Sequence, residues 1–341
     1  MFRLDHVVRD YPWGSAEQIP RFLGLTPGGG PVAEIWLGGH RVGSATVARG
    51  EDDAGVALRD IIARNPVEAC GPGAGKELPF LLKLLGVATP LSLQVHPGAE
   101  QSRAGYAREE AAGIGLDAPN RTYKDPNPKA ELVYALESFD VLAGFKAPNA
   151  VRRSLEPLAV GSALAQAMIR GLAAGGLRQA LSEALVGEAA TEDGVLELTA
   201  ACRRQLASPG EDPGPSATLV ALARRFPGDP ALAAVLMMNH VSLAPGESLF
   251  VAPGTLHSYL RGLAVEVMTA SDNVLRAGLT TKYADRERVV ETVDDAGKGL
   301  SRATVTKHDG VRLLRPPAGR FQLADARVEG STRLALTGPR V

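Results

Sequence analysis

The chain has 341 residues, enough for two or three domains around a substantial buried core. Its 37 basic and 38 acidic side chains nearly cancel, which argues against nucleic acid or an anionic membrane as partner. No apolar run approaches the roughly 18–20 residues of a bilayer span, the N-terminus lacks signal-peptide order, and the 2 cysteines, Cys70 and Cys202, are far apart without a C-x-x-C, so a reducing cytoplasm is expected.

From residue 1 to about 147 the text predicts short strands between Gly and Pro punctuation: 33–37 before Gly38-Gly39, then 78–85, 91–96, 131–136 and 139–145. Gly71-Pro72-Gly73-Ala74-Gly75-Lys76-Glu77 resembles a phosphate loop but is one residue short, with Glu where Ser or Thr is needed, and reads as an ordinary loop. In Leu91-Ser92-Leu93-Gln94-Val95-His96-Pro97, period-two alternation puts Gln94 and His96 on one strand face. An imidazole beside an amide on a rigid strand suits a metal or sugar site, although the triplet alone is weak. Residues 100–129 are polar, with a helix-like stretch followed by a loop at Pro126 and Pro128. Glu131 then opens a strand on which it could face inward.

The character changes near 148. Residues 149–240 carry Ala and Leu at helical spacing, as at Leu177, Leu181 and Leu185, broken by Gly175-Gly176, Gly187 and the 209–215 Pro-Gly cluster. This region offers almost no catalytic side chains and reads as a helical insert packed on a barrel. Strand character returns at 241, with 241–248 giving strand then turn, 249–251 strand, the Pro253-Gly254 turn, and a short-strand rhythm through Val265, Val267, Leu275 and Leu279. Strands, helices, then strands predict a mainly β fold, a jelly-roll barrel interrupted by an α-helical insertion. The expected division is 1–148 with 241–300 as barrel, 149–240 as insert, and 301–341 as the start of a further β region that stops early.

No G-x-G-x-x-G follows a strand and no G-x-S-x-G is present, which disfavours a nicotinamide cofactor and a serine nucleophile. None of the six histidines, His6, His40, His96, His240, His257 and His308, forms H-x-x-x-H. His257 follows a strand and a Pro-Gly turn, a position from which an imidazole can enter a barrel mouth. A lone histidine there is usually structural; His96, Glu131 and His257 on three strands favour a metal instead. Downstream, Tyr259, Glu266, Ser271-Asp272-Asn273, Arg276 and Lys282 crowd polar groups among Val, Leu and Ala. Solvated loops account for Ser271 and Lys282, but Glu266 lies between Val265 and Val267 and could face the interior.

These segments together resemble the type I phosphomannose isomerase family, zinc-dependent isomerases of the cupin superfamily, along nearly the whole chain. The resemblance lies in Tyr11-Pro12-Trp13-Gly14-Ser15, in Ala33-Glu34-Ile35-Trp36-Leu37-Gly38-Gly39-His40, and in Leu78-Pro79-Phe80-Leu81-Leu82-Lys83 leading into Pro90 to Pro97. It continues in Asn127 to Glu131 and, most specifically, in 257–260, Glu266 and 271–280. It implies a cupin-type jelly roll and one zinc ion per chain, bound by Gln94, His96, Glu131 and His257. It implies Arg276 as the catalytic arginine and a pocket of Ser92, Lys83, Lys129, Tyr259, Glu266, Asp272 and Lys282. The implied reaction interconverts mannose 6-phosphate and fructose 6-phosphate through a cis-enediol, feeding mannose metabolism and GDP-mannose synthesis. Glu266 and Lys129 remain alternative bases, and Arg276 and Lys282 are candidates to meet the phosphate. A monomer is expected in preference to an obligate oligomer. Pro128 and Ala130 stand where the family has His and Pro, so that His cannot be the proton carrier here. Two other classes stay open, a cupin metal-dependent oxygenase and a non-catalytic sugar-phosphate-binding cupin.

Overall fold

The computed structural model describes residues 3–70, 75–208 and 214–295, and beyond these the backbone of strands at 305–307, 313–314, 322–328 and 332–337. The phosphate-loop-like residues 71–74, most of the 209–215 break, His308 and the chain end after 337 lie outside the described residues.

The barrel is organised by one 13-residue strand, His257–Thr269. Its first half pairs antiparallel with Phe139–Phe145, and His257 also meets Gln94 of the strand Leu93–Val95. Its second half lies between Phe80–Val87 and Glu131–Ala135. The change of partners occurs at Gly262, whose φ of +123° L side chains rarely adopt. A Cβ there would stand 2.3 Å from the Ser138 carbonyl oxygen. A glycine at this bend therefore lets a single strand serve two sheets.

One sheet runs Glu247–Val251, Glu131–Ala135, the long strand, Phe80–Val87, Glu34–Leu37 and Val7–Arg9. The other brings together Met238–Leu243, Phe139–Phe145, the long strand, Leu93–Val95 and Leu275–Gly278. Alternation decides what faces inward: Glu131, Val133 and Ala135 are buried while Leu132 and Tyr134 between them are partly exposed. Leu85, Val133, Phe139, Val141, Leu249 and Tyr259 fill the space between the sheets. This is a mainly β, cupin-type jelly roll with a helical insertion.

Several boundaries differ from the sequence expectation. Residues 265–279 are not a series of short strands but the end of the long strand and then Leu275–Gly278. Strand structure resumes at Met238 rather than 241. The 91–96 strand shrinks to Leu93–Val95, because Pro90 and Pro97 offer no N–H to a ladder. The break expected at Gly175-Gly176 is present: both residues leave helical geometry, and the stretch Ala163–Leu185 is two helical segments that meet there at a kink.

Between the barrel strands run the helices Pro148–Leu155, Ala163–Leu185, Glu192–Leu206, Gly214–Ala223 and Ala231–Val235. Ser162 and Thr191 cap two of them, accepting from the N–H of Ala165 and Gly194. Their apolar faces, with Leu164, Met168, Leu181 and Leu198, join Leu93, Leu142, Leu260 and Leu275 of the barrel in one cluster. Among the described residues no helix is long and apolar enough to cross a membrane.

Candidate active site

The two sheets converge on a buried His-Glu-His group. One ligand atom each from His96, Glu131 and His257 lies within 4.8 Å of the others, and all three residues are buried. Register supplies the rest of the row. Gln94 is the cross-strand partner of His257 on one side and of Arg276 on the other. Paired residues share a sheet face, so Arg276, Gln94 and His257 project together, with His96 two residues along from Gln94.

The proton positions follow from the second ring nitrogens. His96 Nδ1 is 2.9 Å from the Asn273 carbonyl oxygen and His257 Nδ1 is 2.9 Å from that of Thr255. A carbonyl only accepts, which assigns the proton of each neutral ring to Nδ1 and leaves a lone pair on Nε2. These Nε2 atoms lie 3.0 and 3.4 Å from the Glu131 carboxylate, yet both are buried without a hydrogen-bond partner. The distances alone suggest ion pairs; the tautomers argue that no proton lies between the atoms, and they carry more weight. Burial and neighbouring Lys129 pull the His96 imidazole down to about 3, so this ring is neutral. Burial works to raise the Glu131 carboxyl, but the Lys129 ammonium beside it holds it well below the usual range. Two lone pairs and an anion aimed at one another in a dry interior need a cation. This donor set fits a zinc ion.

Around the group lies a ring of compensated charge. Lys129 Nζ is 3.0 Å from Glu131 Oε1. Lys83 is wedged between Glu266 at 3.1 Å and Glu34 at 3.9 Å. Burial alone would lower the Lys83 ammonium, but Glu34, Glu266 and Glu131 outweigh it and raise it, so Lys83 is charged. Glu266 is raised by burial and by Glu131 in spite of Lys83. Arg276 and Lys282 are each lowered by burial, Lys282 also by Arg276, which concentrates positive charge on that flank. Lys282 is exposed, with Nζ 5.5 Å above the Tyr11 ring. Asp272 faces His40 at 3.3 Å and Arg41 at 3.9 Å. Ser92 donates to Gln94 Oε1 at 3.4 Å.

Tyr259 departs from its expected pocket-lining place. It is 2% exposed and donates to Glu131 Oε2 at 3.0 Å, so it braces the carboxylate of the His-Glu-His group. Sequence reasoning also missed three groups. Glu34 is the second counter-ion of Lys83, and His40 holds Asp272. Asn273, fully buried, accepts from the N–H of Lys124 and Asp125 and donates to the carbonyls of Asp125 and Asn127 while its own carbonyl fixes His96. All three lie inside segments that carry the family resemblance, but their roles depend on contacts between strands and loops far apart in sequence. A cavity of about 560 Å³ between helices and barrel, lined among others by Lys146, Arg153 and His240, contains none of these groups.

A family model for the catalytic domain of type I phosphomannose isomerase matches residues 1–148. The mannose-6-phosphate isomerase of Salmonella typhimurium is 38% identical over 300 residues, covering 86% of this chain and 74% of that protein. The Escherichia coli mannose-6-phosphate isomerase is 37% identical over 298 residues, with the same 86% and 74% covered. A solved structure of the Salmonella typhimurium isomerase bound to its substrate and zinc superposes with a TM-score of 0.78 at 35% identity, covering 95% of this chain and 80% of that chain.

Proposed function

The chain belongs to the type I phosphomannose isomerase family, and from that premise we propose that it interconverts D-mannose 6-phosphate and D-fructose 6-phosphate with one zinc ion per chain. The observation that carries the metal is the pair of buried Nε2 atoms, without hydrogen-bond partners, that face the Glu131 carboxylate. Gln94, His96, Glu131 and His257 would hold the ion; when bound, it supplies Lewis-acid charge beside the sugar oxygens. One carboxylate among four ligands leaves that charge uncancelled.

The reaction moves a proton between C2 and C1 through a cis-enediol, and the protein must accept it, hold it and return it. Lys129 Nζ and Glu266 Oε are the two candidates. A carboxyl pushed upward by burial and a like charge, as at Glu266, is a better base at neutral pH than an ordinary one. Pro128 excludes an imidazole at its own position. Arg276 has the place to stabilise negative charge as it develops on the sugar oxygens, and Lys282 flanks it on the side where a phosphate would sit. The buried Lys83–Glu266 and Lys129–Glu131 pairs keep the site polar and pre-oriented. The reading extends to a monomer acting in the cytoplasm, where Cys70 and Cys202 stay free thiols, and to a place in mannose metabolism leading to GDP-mannose.

A coupled mannose-6-phosphate to fructose-6-phosphate assay tests this directly. Activity should disappear on exhaustive chelation and return with zinc. Retention of full turnover by protein shown to hold no metal would refute a catalytic zinc, and absence of turnover in zinc-loaded protein would refute the isomerase.

A further inference from the structure

Just beyond Arg276 the backbone takes an unusual path. Gly278 has φ +156° and Leu279 φ +56°, the latter the sole non-glycine residue at positive φ among the described residues. A bulky side chain rarely adopts that conformation, and Leu279 is buried as well. Such a residue persists only where its surroundings over-determine it.

What determines it comes from the helical insert. Asp229 lies in the turn before the helix Ala231–Val235, and its Oδ2 accepts the Leu279 N–H at 2.6 Å. Its Oδ1 accepts the Ala231 N–H at 3.0 Å and lies 3.6 Å from Arg286 Nη2. Arg286 Nε in turn donates to the Ala277 carbonyl at 3.0 Å. The ion pair thus grips the backbone on both sides of Gly278, the carbonyl before it and the N–H after it. There is no room for a side chain between: a Cβ on Gly278 would stand 2.3 Å from Asp229 Oδ1. The register against Leu93–Val95 shifts between Arg276 and Gly278, so the grip falls where the ladder is irregular. Among the described residues no carboxylate pairs with the Arg276 guanidinium, so its direction depends on backbone and packing.

We propose that Asp229, partnered by Arg286, is a positioning residue for Arg276: the helical insert fixes the strand end that aims the catalytic guanidinium into the sugar-phosphate pocket. The proposal rests on the role given to Arg276 above. It assigns the insert a part in the chemistry beyond covering one face of the barrel.

The test is a double-mutant cycle on the zinc-loaded full chain, with kcat, KM, bound zinc and Tm measured for wild type, Asp229→Ala, Arg276→Ala and the double variant. A displacement of about 1 Å at a reacting group can cost about 10²-fold, and a loss of that order in kcat is expected for Asp229→Ala. Zinc should stay stoichiometric, because no metal ligand touches the clamp, and KM should move less than about threefold. Asp229→Asn keeps an oxygen for the Leu279 N–H and should recover most of the loss. In the Arg276→Ala background Asp229→Ala should cost nothing further, since a residue acting through another is silent once its target is gone. Equal losses in both backgrounds would mark general destabilisation and overturn the clamp. So would an impaired Arg276→Ala beside a fully active Asp229→Ala. Wild-type turnover by Arg276→Ala would instead overturn the arginine's own role, and the clamp with it. If Asp229→Ala does not fold, Arg286→Gln takes its place in the same cycle with the same deciding outcomes.

Discussion

Gln94 is the residue whose chemistry the structure sharpens most. Its strand neighbours are His257 on one side and Arg276 on the other, so it stands between the metal group and the arginine. As a neutral donor it would complete the proposed four-ligand set with a single carboxylate. Gln94→Glu keeps the size and adds a charge, which should hold zinc at full occupancy while neutralising it and attracting the Arg276 guanidinium across the ladder. Loss of one aimed electrostatic group typically costs about 10²–10³ in rate, and a fall in kcat of that order is expected with little change in metal content. Metal analysis beside steady-state kinetics checks it; unchanged turnover with zinc bound would remove the argument from charge. The grouping of His96, Glu131 and His257, with Gln94 beside His257, was legible from alternation along strands and from turn chemistry. Glu34 and Asn273 were not. What Glu34 neutralises depends on which strands lie beside which, and what Asn273 binds depends on how a distant loop returns. Neither is a local property of the chain.

At the scale of elements, the long strand His257–Thr269 carries most of the design. Its first half brings His257 to Gln94, and its second half sets Glu266 opposite Lys83. In the sequence, Val265, Val267, Leu275 and Leu279 read as a rhythm of short strands. Gly262 is instead the bend that lets one strand cross between sheets. Gly262→Ala combines a disfavoured φ with a Cβ placed 2.3 Å from the Ser138 oxygen. Strain of this kind costs about 1–3 kcal/mol and overpacking a similar amount. A loss of about 3 kcal/mol in urea unfolding is expected, together with weaker zinc retention because both halves of the site hang on this strand. Gly29 provides the contrast, since it also has positive φ, at +83°, but open space around its Cβ. Gly29→Ala should therefore cost only the conformational part. Equal costs at the two sites would show that the close approach at Gly262 contributes nothing.

Across the whole molecule, the helices share their core with the barrel, which also keeps one of its own between the two sheets. Leu164, Met168, Leu181 and Leu198 of the helices pack in the same cluster as Leu93, Leu142, Leu260 and Leu275 of the barrel. Arg178, just after the Gly175-Gly176 kink, reinforces this by donating to the Val293 carbonyl at 2.6 Å and pairing with Asp295 at 2.9 Å. The helical texture of 149–240 was plain in the sequence, but which face it buried, and against what, was not, because apolar residues line barrel and helices alike. A shared core predicts a shared transition. The chain carries its own probes: both of its 2 tryptophans, Trp13 and Trp36, belong to the barrel region, whereas the helical segments within Ala163–Leu185 and the helix Glu192–Leu206 dominate the helical circular dichroism. Tryptophan fluorescence and far-UV circular dichroism should therefore give one urea midpoint. Zinc sharpens the test, since its proposed ligands all come from barrel segments while binding to the native state raises stability by mass action. Adding zinc to chelated protein should move the helical midpoint as far as the tryptophan midpoint. A helical midpoint indifferent to zinc would mean that the insert folds by itself, and that contact across the common core carries no coupling.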